Sequence, residues 1–296
     1  MKLASFRVDG VARPAAIDAD EVVDLLAADS TLPADMLGIL ERGADGMEQV
    51  RAAVQSGDAH RPLAEVSLTA PVRPRKFFAI GLNYADHVAE SGLPTPERLT
   101  VFAKAITCVN GPFDAVERPI VSEQLDYEGE LGFVIGKRCR HVAAAEAAEV
   151  IAGYTIVNDV SVRDWQVMTP QWSLGKSFDT HGPIGPWIVT GDELGDPHAL
   201  DIRTFVNGEL RQASNTRHLI FSCYDQVEIL SQACTLEPGD VIATGTPAGV
   251  AIGREDRPWL VPGDRVRIEI DGIGAIENEV AQEVFDADDA ATNLRA

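Results

Sequence analysis

Asp126-Tyr127-Glu128-Gly129-Glu130-Leu131-Gly132-Phe133-Val134-Ile135 is the stretch on which the fold and the chemistry of this chain turn. Read as a strand, it alternates. Asp126, Glu128 and Glu130 fall on one face, and Tyr127, Leu131, Phe133 and Ile135 on the other. Acidic side chains are depleted in strands, and like charges so placed repel one another. Either that face is solvated or something offsets the repulsion. A divalent cation is the simplest offset, since hard carboxylate oxygens suit Mg²⁺, Mn²⁺ or Ca²⁺.

On either side, short β-like runs recur at Phe77–Ile80, Tyr154–Asn158, Trp187–Thr190, Ile202–Val206, Val241–Thr244 and Arg265–Ile270. Turn residues separate them, among them Asn207-Gly208, a hairpin signal. Helical patterning is convincing at Ala143–Ile151 and at Leu219–Ala233, where Ile220, Val227 and Leu230 make an apolar face. Gly182-Pro183-Ile184-Gly185-Pro186 reads as a turn. Many strands and few helices predict a mainly β chain with some α, not a doubly wound sheet. Residues 1–70 read as a small N-terminal domain: a strand near Leu3–Val8, a turn at Asp9-Gly10, and helical stretches at Val22–Ala28 and Asp35–Gly43. Pro71 and Pro74 mark the boundary to a second domain over 71–296.

The 296 residues carry 25 Lys+Arg against 46 Asp+Glu, a net charge of -21, which argues against nucleic acid and anionic membranes as partners. An anionic substrate would need a local positive site against that field. Cys108, Cys139, Cys223 and Cys234 are far apart without a C-x-x-C pair, so reduced, packed thiols are expected. The first residues lack an apolar signal-like run, and no apolar stretch reaches membrane-spanning length, so a cytoplasmic protein is expected.

Three further constellations accompany the acidic stretch. Asp159 ends the Tyr154–Asn158 run and would add a third carboxylate to Glu128 and Glu130, leaving coordination positions for water or substrate; alone it would read as a turn or cap aspartate. His87 and Glu90 share a face of a short helix, and a carboxylate beside an imidazole makes a general base. The segment runs into Gly92-Leu93-Pro94-Thr95-Pro96, the composition of a mobile lid. Arg163 and Gln166, also three apart, can present donors together, and Lys176 offers a compact positive charge to an oxyanion or carboxylate. Thr244-Gly245-Thr246-Pro247-Ala248-Gly249 is a Gly-rich turn whose N–H groups and Thr246 hydroxyl could hold a substrate carboxylate. G-x-S-x-G, H-E-x-x-H, Walker A and G-x-G-x-x-G patterns are all missing, which removes the main support for serine hydrolase, zincin, P-loop and Rossmann readings.

In this order, Ile80–Glu90, Asp126–Leu131 with Val134–Lys137, Asn158–Gln166, Gly175–Thr180 and Thr244–Val250 resemble the fumarylacetoacetate hydrolase (FAH) family over roughly residues 70–285. The resemblance implies a mixed β-sandwich roll with a small N-terminal domain, a homodimer, and Mg²⁺ or Mn²⁺. It implies Glu128, Glu130 and Asp159 as metal ligands, His87 with Glu90 as the water-activating dyad, Lys176 as a catalytic cation, and Arg163, Gln166 and Thr246 as the grip on substrate oxygens. The chain departs from the family pattern at Phe102–Cys108, which lacks the proline or serine often found after its lysine, and at His181.

The function expected is metal-dependent C–C bond hydrolysis of an acylpyruvate-like β-diketo acid to pyruvate and a carboxylic acid, with a small 2-oxo acid as substrate. Oxaloacetate decarboxylation and hydroxymuconate-type isomerisation are the neighbouring alternatives. A non-catalytic protein with a structural cation is the alternative of another class. It would close its site with protein oxygens and have no need of His87.

Overall fold

The computed structural model describes residues 1–57, 59–92 and 94–284. Leu93, in the segment read as a lid, and residues 285–296, at the end of the second expected domain, lie outside them. The chain is mainly β with some α. Its acidic stretch is not one continuous strand. Leu125–Asp126 pairs with Ser161–Val162, the backbone leaves the ladder at Tyr127 and Glu128, and a new strand runs Gly129–Ile135. That strand is buried along its length, with Ile151–Asn158 antiparallel on one side and Val241–Ala243 antiparallel on the other. Buried on both faces, it needs an apolar run and not an alternation. Leu131, Phe133 and Ile135 face one core and Val134 the other.

Two sheets organise the described residues. The larger is ordered His60–Pro62, Glu21–Asp24, Val11–Asp18, Lys2–Val8, Gly182–Val189, Ile151–Asn158, Gly129–Ile135, Val241–Ala243, Phe77–Gly81, Thr100–Ala103. The smaller is ordered Glu209–Asn215, Asp201–Val206, Arg265–Ile270, Gly274–Gln282, Val116–Arg118. Ile202, Val266, Ile268 and Ile276 of the small sheet pack with Leu131 and Phe133, so one core fills the space between the sheets. The second core lies on the larger sheet's other face. There Met36, Ile39, Leu40 and Val50, from the helices Met36–Glu41 and Gly43–Ser56, cover Val134, Val157, Ile184 and Ile188. The leading segment also joins the larger sheet directly, through Lys2↔Val189 and Leu3↔Ile188.

The hairpin signals form as expected. Asp9 and Gly10 (φ 50 and 80), like Asn207 and Gly208 (φ 52 and 79), place two successive residues at positive φ between paired strands. Four elements differ from expectation. In the stretch Val22–Ala28 only Leu25–Ala28 is helical, capped by Asp24, while Glu21–Asp24 is a strand paired with Val11–Asp18 that buries Val22 and Val23. Gly182–Pro186 lies inside the strand Gly182–Val189, and Ala143–Ile151 is a 3₁₀ run over Ala144–Val150 that passes into a strand at Ile151. The helix expected from Leu219 begins at Cys223, where Ser222 and Asp225 form a reciprocal capping box.

Candidate active site

The strand pairing brings the acidic residues together. Gly129 lies opposite Asn158 and Glu130 opposite Val157, so the start of one strand meets the end of its neighbour. The Asp159 N–H donates to the Glu128 carbonyl at 2.9 Å, and the Asn158 side-chain oxygen accepts from Glu128 N–H at 3.1 Å. As a result, one oxygen from each of Glu128, Glu130 and Asp159 lies within 4.8 Å of the others, with all three side chains buried.

Three buried cations surround them. Arg163 donates Nη1 to Glu128 Oε1 at 2.7 Å and Nε to Asp126 Oδ2 at 2.8 Å. Lys176 Nζ lies 2.7 Å from both Glu128 Oε2 and Asp159 Oδ2. Lys104 Nζ lies 2.5 Å from Asp159 Oδ1 and also donates to the Lys176 carbonyl. Burial works against the Glu128 carboxylate, but Lys176 and Arg163 outweigh it and pull its pKa down to about 2. Burial likewise opposes the Lys104 ammonium, and Asp159 overcomes it, raising that pKa.

Glu130 is the exception. It makes no ion pair among the described residues, and its hydrogen bond comes from the Gly245 N–H at 2.8 Å. Burial, with Asp159 and Glu128 close by, pushes its carboxyl well above the ordinary range. Four carboxyl groups (Asp126, Glu128, Glu130, Asp159) thus meet three cations (Lys104, Arg163, Lys176), and Glu130 is the one left without a counter-charge, which favours its neutral form until a cation binds. A buried, unpaired carboxylate is costly. A divalent cation would relieve it and turn the local balance positive, the sign an anionic substrate needs against a chain of net charge -21. The donor set is all hard oxygen, so Glu128, Glu130 and Asp159 fit Mg²⁺ or Mn²⁺.

Asp126 does not join the other carboxylates. It accepts from Ala251 and Ile252 N–H at 2.8 and 3.0 Å and orients the Arg163 guanidinium. The Gly-rich turn also serves protein carboxylates. Its Gly245 N–H holds Glu130, and its Gly249 N–H lies 3.0 Å from Glu90 Oε1. Gly245 sits at φ +107, and a Cβ there would come within 2.7 Å of the Asn83 side chain, so no other residue delivers this N–H. The Thr246 hydroxyl has its proton on the Gly129 carbonyl (3.0 Å) and accepts from Gln212 (2.8 Å).

His87 and Glu90 lie on the short helix Ala85–Ser91, with Nδ1 3.2 Å from Glu90 Oε2. Glu90 is in turn fixed by Gly249, so the imidazole has an anchored partner. His87, Glu128, Arg163, Gln166, Lys176 and Thr246 all border one cavity of about 190 Å³. Phe102, Trp172 and Ile252 supply its apolar wall. Arg163 Nη2 is buried without a hydrogen-bond partner among the described residues, while Gln166 accepts from Arg163 Nη1 at 2.8 Å. A larger cavity of about 480 Å³ lies between the Gly43–Ser56 helix and Tyr154, away from every one of these groups. His181 does not border the smaller cavity. It is fully buried against the Glu117 carbonyl (2.7 Å) and Phe178, and burial pushes its imidazole down to about 4.

This fold and carboxylate cluster define a class, and the match to the Fumarylacetoacetate (FAA) hydrolase C-terminal family model over residues 76–281 shows that the chain belongs to it. Among individual relatives, the chain is 44% identical over 262 residues to the Bos taurus oxaloacetate tautomerase FAHD2B, mitochondrial, covering 88% of this chain and 83% of that protein. It is also similar to the maleylpyruvate hydrolase of Sphingobium sp. SYK-6, whose solved structure is a complex with manganese(II) and pyruvate. That likeness has a TM-score of 0.80, 35% identity, and coverage of 96% and 100% of the two chains. The 2-hydroxyhepta-2,4-diene-1,7-dioate isomerase of Mycobacterium marinum matches with a TM-score of 0.77 and 32% identity over 96% and 100% of the two chains.

The sequence gives no role to Lys104 and the wrong partners to Asp126. Lys104 sits in the Phe102–Cys108 stretch already singled out, but nothing local ties it to Asp159, 55 positions away. Asp126 was grouped with Glu128 and Glu130 by strand alternation; the break at Tyr127 and Glu128 turns it toward Arg163.

Proposed function

We propose that the chain is an Mg²⁺- or Mn²⁺-dependent enzyme acting on short 2-oxo dicarboxylic acids, with keto–enol tautomerisation of oxaloacetate as its principal reaction. The observation that carries this reading is the convergence of His87, Lys176 and the Glu128 carboxylate on one cavity of about 190 Å³. That volume is below the ~300–1,000 Å³ usual for ligand pockets, which favours a short acid. The similarity to a bovine oxaloacetate tautomerase, 44% over 88% of the chain, supports the same reaction.

When bound, the cation would supply electrophilic polarisation of the 2-oxo acid's oxygens. His87, held by Glu90, takes a proton from the carbon beside the keto group. The C–H electron pair becomes the carbon–carbon double bond, and the negative charge moves to the keto oxygen. The ammonium of Lys176 stabilises that charge. Return of the proton to the oxygen gives the enol, and the reverse sequence regenerates the ketone. Arg163 Nη2, a buried donor with no hydrogen-bond partner among the described residues, would hold a substrate carboxylate. His87, Glu90 and Lys176 are thus the proposed catalytic residues; Arg163, Gln166 and Thr246 border the substrate. Thr246 has no proton left for a substrate oxygen, since it is donated to the Gly129 carbonyl, and its remaining lone pair could only accept from the enol hydroxyl.

A second reading is C–C hydrolysis of an acylpyruvate. It is favoured by the His87–Glu90 contact of 3.2 Å, which suits deprotonation of a water that attacks the acyl carbonyl. The manganese- and pyruvate-containing hydrolase structure supports it. Decarboxylation of oxaloacetate would instead break the bond to the distal carboxylate, releasing CO₂ and leaving the enolate of pyruvate, the species that acylpyruvate hydrolysis also expels. Cytoplasmic location and association as a homodimer belong to this proposal, and solution light scattering reads the latter. No described helix is long and apolar enough to cross a membrane.

The deciding experiment follows freshly dissolved enol-oxaloacetate by ultraviolet absorbance with and without Mg²⁺ or Mn²⁺. Acylpyruvates are assayed in parallel by product analysis. Cation-dependent acceleration of enol loss without CO₂ release supports tautomerisation. Pyruvate plus a carboxylic acid from acylpyruvates, with no effect on enol decay, would replace it with the hydrolytic reading.

A further inference from the structure

Lys176 occupies an unusual place in the carboxylate cluster. Its Nζ lies 2.7 Å from Glu128 Oε2 and 2.7 Å from Asp159 Oδ2, so it bridges two of the three candidate cation ligands. The other cations do not. Arg163 reaches Glu128 through Oε1 and is tied to Asp126 at 2.8 Å; Lys104 reaches Asp159 through Oδ1 and is tied to the Lys176 carbonyl. Both are anchored from behind. Lys176 alone of the two lysines borders the cavity, so its ammonium has space to move into.

A lysine ammonium is a compact point charge with three donors, and between two carboxylates it fills the electrostatic role of a metal ion. A divalent ion drawing one oxygen from each of Glu128, Glu130 and Asp159 must share those same two carboxylates. Positive charges a few ångströms apart in a buried site repel strongly. Of the oxygens on Glu128 and Asp159, Oε2 and Oδ2 are the pair held by a single movable group, whereas Oε1 and Oδ1 are held by Arg163 and Lys104, which are themselves anchored.

We propose that the divalent cation and the Lys176 ammonium exchange places at Glu128 and Asp159. Without the cation, the ammonium clamps the two carboxylates together. Cation binding releases it into the cavity, where it meets the negative charge developing on the substrate. Lys176 is then available to the reaction only in the loaded enzyme. This inference rests on the reading of Glu128, Glu130 and Asp159 as a cation site.

The test is a Mn²⁺ titration, read by the electron paramagnetic resonance of free Mn²⁺, on the wild-type chain, Lys176→Met and Lys104→Met at one pH. Lys176→Met should bind Mn²⁺ roughly ten-fold tighter than wild type, because a competing charge is gone. Lys104→Met removes one positive charge from the same Asp159 but from the oxygen the cation does not need, so its affinity should change much less. An equal gain in both variants would mark a general effect of lost charge. An unchanged or weaker affinity in Lys176→Met would show that the ammonium does not compete. Either result overturns the exchange. Failure of the wild-type chain to bind Mn²⁺ would instead end the cation site itself, and the exchange with it. If Lys176→Met does not fold, Lys176→Gln repeats the comparison. If neither folds, the Lys176 ammonium resonance of ¹⁵N-lysine-labelled wild type should shift on adding Mg²⁺, and an unmoved resonance would overturn the exchange.

Discussion

At the scale of single residues, His87 and Asp126 have separable tasks. His87 borders the cavity and touches none of the three clustered carboxylates, so His87→Ala should leave Mn²⁺ affinity unchanged. Turnover of enol-oxaloacetate should fall by about 10²–10⁴-fold, the usual contribution of a general base. Loss of both together would assign His87 a structural role. Asp126 is fully buried and accepts from Arg163 Nε and from the Ala251 and Ile252 N–H groups, so its loss would leave Arg163 with Glu128 as its remaining carboxylate and those donors short of an acceptor. Asp126→Asn should lower unfolding free energy in a urea melt by roughly 1–3 kcal/mol, the cost of leaving buried donors without their acceptor. A loss under 1 kcal/mol would contradict the account of Asp126 as Arg163's anchor. What the sequence revealed at this scale follows from locality. Glu128, Glu130, His87 and Glu90 lie within a few positions of their partners or share an element. Lys104 and Asp159 are joined only by the tertiary fold, and Asp126 was misplaced because period-two reasoning assumes an unbroken strand.

At the scale of elements, the strand Gly182–Val189 carries a pH dependence at its entrance. His181 precedes it, fully buried, with Nδ1 lacking a partner. Burial is the main cause of its depressed pKa of about 4, with Lys104 adding to it; the Glu117 carbonyl and Asp159 act in the opposite sense. In the unfolded chain the same imidazole titrates near ~6.5. Between those values the unfolded state holds a proton that the folded state does not, so stability is full above about pH 6.5 and falls as pH drops toward 4. The loss amounts to roughly 3 kcal/mol. Urea midpoints of wild type and His181→Gln between pH 7 and 4.5 check this: the wild-type slope should be steeper, and parallel slopes would refute the assignment. The same strand shows why some elements were illegible. Two glycines and two prolines read as a turn, yet they fall where the ladder with Ile151–Asn158 is irregular, its register shifting between Tyr154 and Ile156. The Gly43–Ser56 helix was hidden in a similar way. Its Gly46 packs so close to the preceding helix that a Cβ would meet the Ile39 carbonyl at 2.4 Å, so a residue that weakens helix propensity is there for packing.

At the scale of the molecule, one sheet links the leading segment to the site. Lys2–Val8 pairs with Gly182–Val189, which pairs with Ile151–Asn158, the strand that Asp159 directly follows. Met36, Ile39 and Val50 cover Val134, Val157 and Ile188 on the face behind the acidic strand. Deleting residues 1–70 would expose that face, and large apolar patches drive association. The shortened chain is expected to aggregate on expression; a monodisperse, cation-binding fragment would show that the leading segment is dispensable to the site. Fold class was legible because strand number, turn chemistry and the family's ordered motifs agreed with one another. The cover provided by the N-terminal helices was not, since no local pattern says which sheet face a helix will pack on.

The account depends most on Glu128, Glu130 and Asp159 together holding a divalent ion beside a chelating 2-oxo acid. Anomalous diffraction at the manganese edge, from crystals soaked with Mn²⁺ and oxalate, tests this directly. The account predicts one strong peak at roughly 2.0–2.3 Å from an oxygen of each of the three carboxylates, with oxalate completing the shell on the His87 side. A peak elsewhere, or Glu128 and Asp159 still paired only with Lys104, Arg163 and Lys176 at saturating Mn²⁺ with Glu130 held by Gly245 alone, would contradict it.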